Sequence, residues 1–195
     1  MLFLKPVSLA CLFAAVAAFG ATSAIAAEPK SLNNEDWYQV RTADKFYLFD
    51  DYSVYRDFLV SGKAPVMREL GEKDKWGQSV VLALGADQQD TPLEEISAYQ
   101  FYRVALPSAW PFYGELRQDD VIYVFRRAGD MTETNSLGEP IFRYTDIGGG
   151  PNGERVVYVL AKEEKLPQDT VKKFKTNYGL KYNSCRRPVR KTGRR

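Results

Sequence analysis

Two stretches of sequence that resemble each other decide the fold. Residues 37–49 read WYQVRTADKFYLF, and residues 113–125 read YGELRQDDVIYVF. In each stretch, aromatic and branched residues flank a short polar turn that carries an aspartate, Asp44 or Asp120. Aromatic and branched residues favour a pleated, half-buried surface, and a polar turn between them favours chain reversal. Each stretch therefore predicts a β-hairpin.

The resemblance extends well beyond these hairpins. An ungapped shift of 76 positions pairs residues 36–84 with residues 112–160, and nine of those 49 positions are identical. About three identities are expected by chance at ordinary amino-acid usage. We therefore expect an internal duplication, with a first repeat at residues 36–106 and a second at residues 107–180. The identical pairs are Arg41 and Arg117, Asp44 and Asp120, Tyr47 and Tyr123, Phe49 and Phe125, Gly62 and Gly138, Gly77 and Gly153, Val80 and Val156, Val81 and Val157, and Leu84 and Leu160.

Each repeat also predicts a second hairpin followed by a helix. The second hairpins turn at Gly77 and Gly153. A helix follows each of them, because Ile96 and Tyr99, like Val171 and Phe174, are spaced to share one helix face. The expected fold class is α+β, internally duplicated, with two hairpin-rich antiparallel halves and helices packed on one face. The strands of the second hairpins are residues 64–70, 79–84, 140–146 and 155–160.

The repeats differ most over residues 52–59 and the matching residues 128–135. Tyr55 and Phe58 predict a short helix in the first repeat, which ends at Gly62. Residues 128–138 lack that apolar spacing and predict a polar loop. Since loops often carry function, a role specific to the second repeat, if there is one, is expected there first.

The N-terminal residues have the features of a cleavable export signal. Lys5 precedes an apolar, alanine-rich run, and Ala24 and Ala26 form the small-residue pattern that signal peptidase recognises. The run is shorter than the ~20 residues of a membrane span. We expect residues 1–26 to be a signal peptide and residues 27–35 a linker. The mature protein would then be periplasmic or secreted, with no transmembrane span.

The residue types present restrict the chemistry. The chain has no histidine, which is the commonest metal ligand and the usual base near neutral pH. Catalytic triads, cysteine–histidine dyads and histidine zinc sites are therefore excluded. No phosphate-binding loop, dinucleotide-binding loop or G-x-S-x-G motif occurs. No catalytic residue, metal or cofactor is assigned. Cys185 would be the sole cysteine of the mature chain, where it stays unpaired or bonds to another chain.

Charge is distributed unevenly along the chain. Residues 27–164 contain 15 basic and 24 acidic residues, whereas residues 165–195 contain 11 basic residues and one acidic residue. Residues 181–195 are expected to form a disordered basic tail, which either binds anionic lipid head groups or lipopolysaccharide or folds back on the acidic body. Nucleic acid is not an expected partner, because no aromatic residues are interleaved to stack bases. The anion-binding residues assigned in the tail are Arg186, Arg187, Arg190, Lys191, Arg194 and Arg195.

A second set of candidate residues lies near the boundary between the repeats. Arg41 and Arg117 occupy equivalent positions, and two guanidinium groups flanking a groove would bind a carboxylate or phosphate. The alternative is that each arginine neutralises the aspartate of its own turn. Trp110 and Tyr113 lie at the junction, where aromatic residues form either the packed boundary or a platform for sugar or peptide.

These observations favour an exported, non-enzymatic protein that binds another macromolecule, either a protein or an anionic component of the cell envelope. The alternative is a histidine-independent enzyme, whose tyrosine, arginine and carboxylate groups would meet at the boundary between the repeats. A pocket with convergent titratable groups would favour the enzyme, and a flat or convex surface would favour the binding protein.

Overall fold

Residues 31–182, which the computed structural model describes, alternate between pairs of strands and single helices. The order is strand, strand, helix, strand, strand, helix, and it occurs twice along the chain. Two short 3₁₀ turns precede the second helix. The strands are β1 (Asp36–Arg41), β2 (Lys45–Phe49), β3 (Val66–Lys73), β4 (Ser79–Leu84), β5 (Tyr113–Gln118), β6 (Val121–Phe125), β7 (Arg143–Asp146) and β8 (Arg155–Val159). The helices are α1 (Tyr52–Ser61), α2 (Ser97–Tyr102), α3 (Ala128–Leu137) and α4 (Gln168–Asn177).

All eight of these strands belong to one sheet, in the order β3-β4-β2-β1-β5-β6-β8-β7. The four predicted hairpins are antiparallel, but β1 pairs with β5, β2 with β4 and β6 with β8 in parallel. The α+β class is therefore confirmed, whereas the prediction of antiparallel halves is corrected to a mixed sheet. The sheet is mixed because a helix separates the two hairpins of each half. Helix α1 connects β2 to the β3–β4 hairpin, and β4 then pairs with β2 in parallel. Helix α3 connects β6 to the β7–β8 hairpin, and β8 pairs with β6 in the same way.

Helices cover both faces of the sheet, not one face as expected. Helices α1 and α4 pack on the face that carries Tyr38 and Tyr113, and helices α2 and α3 pack on the face that carries Trp37 and Leu116. The central strands contribute buried apolar residues to both faces; β4, for example, is buried along almost its whole length. A strand that is apolar on both sides needs cover on both sides.

The helix predicted from Tyr55 and Phe58 is confirmed as α1. Its first turn is capped by Asp51, whose carboxylate accepts the N–H of Ser53 at 2.7 Å, and it ends at Gly62. Helix α4 occurs at the predicted position and contains Val171 and Phe174. Helix α2 also follows its hairpin, but it begins at Ser97, so Ile96 precedes it in an extended conformation and only Tyr99 lies within it.

The predicted polar loop at residues 128–138 is instead the helix α3. Its anchor is Met131, which is fully buried against the sheet. Met131 fits there because β5 has a glycine beneath it: a Cβ on Gly114 would lie 2.8 Å from the Met131 sulfur. The apolar contact of α3 thus depends on a residue distant in sequence, so the helix has no marked apolar face of its own.

Candidate functional site

The structure separates the two arginines that were expected to flank one groove. Arg41 faces helix α3, since its guanidinium group lies 3.4 Å from the amide oxygen of Asn135. Arg117 lies on the opposite face, where its Nε donates to the hydroxyl of Tyr55 in α1 at 3.2 Å. Side chains alternate between the two faces of a sheet, and the parallel register aligns Arg117 with Val40, the residue before Arg41. The two arginines therefore share no groove.

Neither arginine pairs with the aspartate of its own turn. Arg41 forms a buried ion pair with Asp74, in the turn between β3 and β4, and lies 4.0 Å from the centre of the Phe46 ring. Arg117 forms the corresponding ion pair with Glu154, at 2.9 Å, beside the turn between β7 and β8. Each arginine thus ties the first hairpin of its half to the second, which is a structural role that sequence spacing does not reveal.

The two aromatic candidates also lie in different surroundings. Trp110 is 64% exposed, and the guanidinium group of Arg126 stacks on it at 4.5 Å. Tyr113 is buried, and its hydroxyl donates to the carboxylate of Glu115. Tyr113 therefore belongs to the packed interior, whereas Trp110 remains an exposed aromatic surface.

Glu115 is the centre of a buried polar cluster that sequence reasoning missed. It lies in β5 and is inaccessible to solvent. Besides Tyr113, two further hydroxyls donate to it, from Tyr178 at 2.6 Å and from Tyr55 at 3.0 Å. These tyrosines come from α1, from β5 and from the end of α4, so the carboxylate joins three elements. Its only sequence signal was a glutamate between the apolar residues of a predicted strand.

The electrostatics of this cluster follow from burial. Burial raises the pKa of Glu115, although the three hydroxyl donors act in the opposite direction. Burial next to that carboxylate raises the pKa values of Tyr113 and Tyr55 well above the ordinary value of a phenol. The tyrosines therefore stay protonated and donate to the carboxylate. Because the carboxylate and the three hydroxyls are already hydrogen-bonded to one another and Glu115 is inaccessible to solvent, the cluster stabilises the interior.

The most unusual surface feature is the edge of the sheet at β7. Four of the large apolar residues with high exposure lie within seven positions of one another. Large contiguous apolar patches on a protein surface often mark an interaction site. We name residues 141–147 the β7 edge. Its exposed apolar residues are Ile141 at 70%, Phe142 at 43%, Tyr144 at 47% and Ile147 at 87%.

The opposite edge of the sheet differs from the β7 edge. Strand β3 has charged residues at several positions, among them Arg68, Glu69 and Lys73, and its pairing with β4 is interrupted by an irregularity between Glu69 and Lys73. Charges and bulges are the common protection of an edge strand against pairing with another chain. Strand β7 also carries two charges, at Arg143 and Asp146, but its pairing with β8 is regular along its length.

A recess of about 260 Å³ lies beside the β7 edge. Leu137 at the end of α3 forms one wall, and Ile141 and Phe142 form the other. Val159 of β8 lines the recess with them, and Glu133 and Glu139 are also in the lining. The recess is large enough for one apolar side chain and has a partly acidic rim.

Several predicted features lie outside the described residues. Residues 1–30 contain the expected signal peptide, and residues 183–195 contain Cys185 and the six basic residues assigned to anion binding. Among residues 31–182, no helix is long and apolar enough to cross a membrane, and no group of three or more cysteine, aspartate and glutamate residues could hold a metal ion.

Comparison with known proteins gives no relatives: no family model, curated protein or solved structure matches this chain.

Proposed function

We propose that this chain is an exported binding protein, which captures an extended segment of another polypeptide on the β7 edge. The observation that carries the proposal is the exposure of Tyr144 in the edge strand β7 and of Ile141, Phe142 and Ile147 on either side of it, next to a recess. An extended segment that adds a strand gains affinity from main-chain hydrogen bonds and specificity from side-chain pockets.

The backbone of β7 is arranged for such an addition. The N–H of Leu160 donates to the carbonyl of Phe142 at 3.0 Å, so Phe142 directs its polar backbone groups towards β8. Inward and outward backbone groups alternate along an antiparallel strand. The N–H and C=O groups of Arg143 and Thr145 therefore point away from β8, where the described residues provide no further strand. These groups are available to a partner strand.

Charge indicates what kind of segment binds. Residues 27–164 contain 24 acidic and 15 basic residues, and the acidic side chains of Glu133 and Glu139 line the recess. Opposite charge on the partner increases the rate and the specificity of association. We therefore expect a segment with alternating apolar residues and basic flanks.

The variant Thr145→Pro tests this proposal. Proline removes an outward N–H but no bond of the β7–β8 ladder, so the fold is retained while strand addition is blocked. The matched control is Thr145→Val, which keeps the N–H. The probe is a fluorescein-labelled peptide in which isoleucine and threonine alternate between lysine ends, and binding is followed by fluorescence polarisation. We expect the natural chain and Thr145→Val to bind, and Thr145→Pro to lose at least about tenfold in affinity, the loss of one to two hydrogen bonds.

Two results would contradict the proposal. Equal binding by Thr145→Pro would show that the peptide binds elsewhere. In the second result, the natural chain forms a dimer and binds no peptide, and Thr145→Pro abolishes the dimer. That result would show that a second copy occupies the edge.

Export and the basic tail complete the proposed function. The arrangement of Lys5, Ala24 and Ala26 supports secretion to the periplasm or the exterior. There, the basic residues from Arg186 to Arg195 would hold the protein near anionic lipid head groups or lipopolysaccharide, at ~1 kcal/mol for each charge near the surface. The enzymatic alternative has less support, because the carboxylate of Glu115 and two of its three tyrosine partners, Tyr55 and Tyr113, are buried.

We also infer that the two halves arose by duplication. In support, β1 and β5 lie side by side in parallel, and the strand order β1-β2-β4-β3 outward from the centre corresponds to β5-β6-β8-β7. A twofold axis parallel to these central strands would also place α1 and α3 on opposite faces. The ends of these helices correspond as well, at Gly62 and Gly138 with φ values of 69° and 92°. Superposing residues 36–84 on residues 112–160 tests the inference, and a different position of the helix in the two halves would contradict it.

A further inference from the structure

A second pocket, on the other side of α3 from the recess, has a different chemical character. It measures about 310 Å³ and lies where the end of β1 meets α2, α3 and the turn between β3 and β4. We name it the α2–α3 pocket. Its apolar walls include the rings of Phe46 and Tyr102 and the side chain of Val104. Such a volume suits a small organic molecule.

The polar lining of the α2–α3 pocket consists mainly of donors. Three cations, Arg41, Lys75 and Arg103, line it together with one carboxylate, Asp74. That carboxylate is already engaged by Arg41 and by the N–H groups of its own turn, at 2.9 Å for the N–H of Trp76. Arg103 has one carboxylate partner, Glu72 at 3.0 Å, and its side chain remains 44% exposed. The pocket therefore has an excess of positive charge.

Two buried donors in this region have no partner among the described residues. Trp37, which lines the pocket, is 2% exposed, and its indole N–H makes no hydrogen bond. The amide nitrogen of Gln39 is also without a partner, although its oxygen accepts from Asn135 of the pocket lining at 3.0 Å. A buried donor without a partner destabilises the folded chain, and an acceptor bound in the pocket would remove that loss.

From this combination we infer that the α2–α3 pocket binds a small aromatic carboxylate. The ring lies between Phe46, Tyr102 and Val104, and the carboxylate accepts from the Trp37 indole N–H and pairs with Arg103 or Lys75. A neutral ligand would leave the excess charge unmatched, and an ion without a ring would leave the apolar walls unfilled. The site shares no residue with the β7 edge, so it does not depend on polypeptide binding there.

Benzoate is the probe, and the indole N–H signals in ¹H–¹⁵N correlation spectra are the measurement. The chain has three tryptophans, and the exposed Trp76 and Trp110 can each be replaced by phenylalanine, which assigns the Trp37 signal while Trp37 stays in place. We expect benzoate to shift the Trp37 signal in a saturable manner, and benzamide, its neutral counterpart of equal shape, to bind at least about tenfold more weakly.

Arg103→Gln and Lys75→Gln test the charges of the pocket. The variant that removes the cation paired with the carboxylate is expected to weaken benzoate binding by about tenfold, and no loss in either variant would overturn the inference. The matched control is Arg56→Gln, an arginine on the opposite face whose side chain is 60% exposed and which also has one carboxylate partner. It should bind benzoate as the natural chain does. A Trp37 signal that benzoate does not move, equal binding of benzamide, or an equal loss in Arg56→Gln would each overturn the inference.

Discussion

The ion pair between Arg117 and Glu154 allows a quantitative prediction about stability and pH. The carboxylate of Glu154 accepts from Arg117 at 2.9 Å and from the backbone N–H of Asn152 at 2.7 Å, and its side chain is only 13% exposed. Burial alone would raise its pKa, but these hydrogen bonds and the guanidinium charge prevail and hold the pKa of Glu154 at about 2. We expect Glu154→Gln to lose a pH-dependent part of the folding stability.

The magnitude follows from the difference between the folded and unfolded pKa values. An ordinary glutamate has a pKa of 4.5, and each unit of difference is worth ~1.4 kcal/mol. The difference gives an upper bound of about 3 kcal/mol, which contact with solvent reduces to roughly 2–3 kcal/mol at neutral pH. Since the folded pKa is the lower one, this stability is present above about pH 4.5 and is lost as the pH falls towards 2. At about pH 3, less than half of it remains.

Urea unfolding followed by tryptophan fluorescence measures the effect. The free energy of unfolding of Glu154→Gln is subtracted from that of the natural chain at neutral pH and at about pH 3. The control is Glu139→Gln, because the side chain of Glu139 is 70% exposed and its ion pair with Arg143 lies at the surface. That control should change stability by no more than ~0.5 kcal/mol at either pH. A loss in Glu154→Gln of the same size at both pH values would refute the role of ionisation.

Three further predictions concern the interior and the ends of the chain. Glu115→Leu should lower the free energy of unfolding by ~3 kcal/mol or more in urea titrations, because three buried hydroxyls lose their acceptor; a loss below ~1 kcal/mol would contradict the cluster's role. Gly138→Ala should cost about 1–2 kcal/mol in the same assay, since Gly138 has a φ of 92° and its Cβ would lie 3.3 Å from Trp76; an unchanged midpoint would count against it. The mass of the exported protein should correspond to a chain that starts near Ala27, and a full-length mass would contradict this expectation. Deletion of residues 185–195 should reduce binding to anionic vesicles at low salt without lowering Tm, and equal vesicle binding would contradict that expectation.

The sequence by itself determined the local elements. Aromatic and branched residues on either side of a polar turn determined the hairpins, because such residues favour a pleated, half-buried strand. Helix α1 was determined by the spacing of Tyr55 and Phe58 and by Gly62. A helix commonly ends at a residue in the left-handed conformation, which glycine adopts readily. These features depend on residues close in sequence, so local patterns sufficed for them.

Only the tertiary structure decided how these elements combine. The parallel pairing of β1 with β5 places Arg41 and Arg117 on opposite faces, which no spacing along the chain reveals. Helix α3 forms because Met131 packs over Gly114, and Glu115 is paired by tyrosines from distant elements. In each case the stabilising contact joins residues far apart in sequence, and the energy that selects the structure arises only when the sheet has assembled.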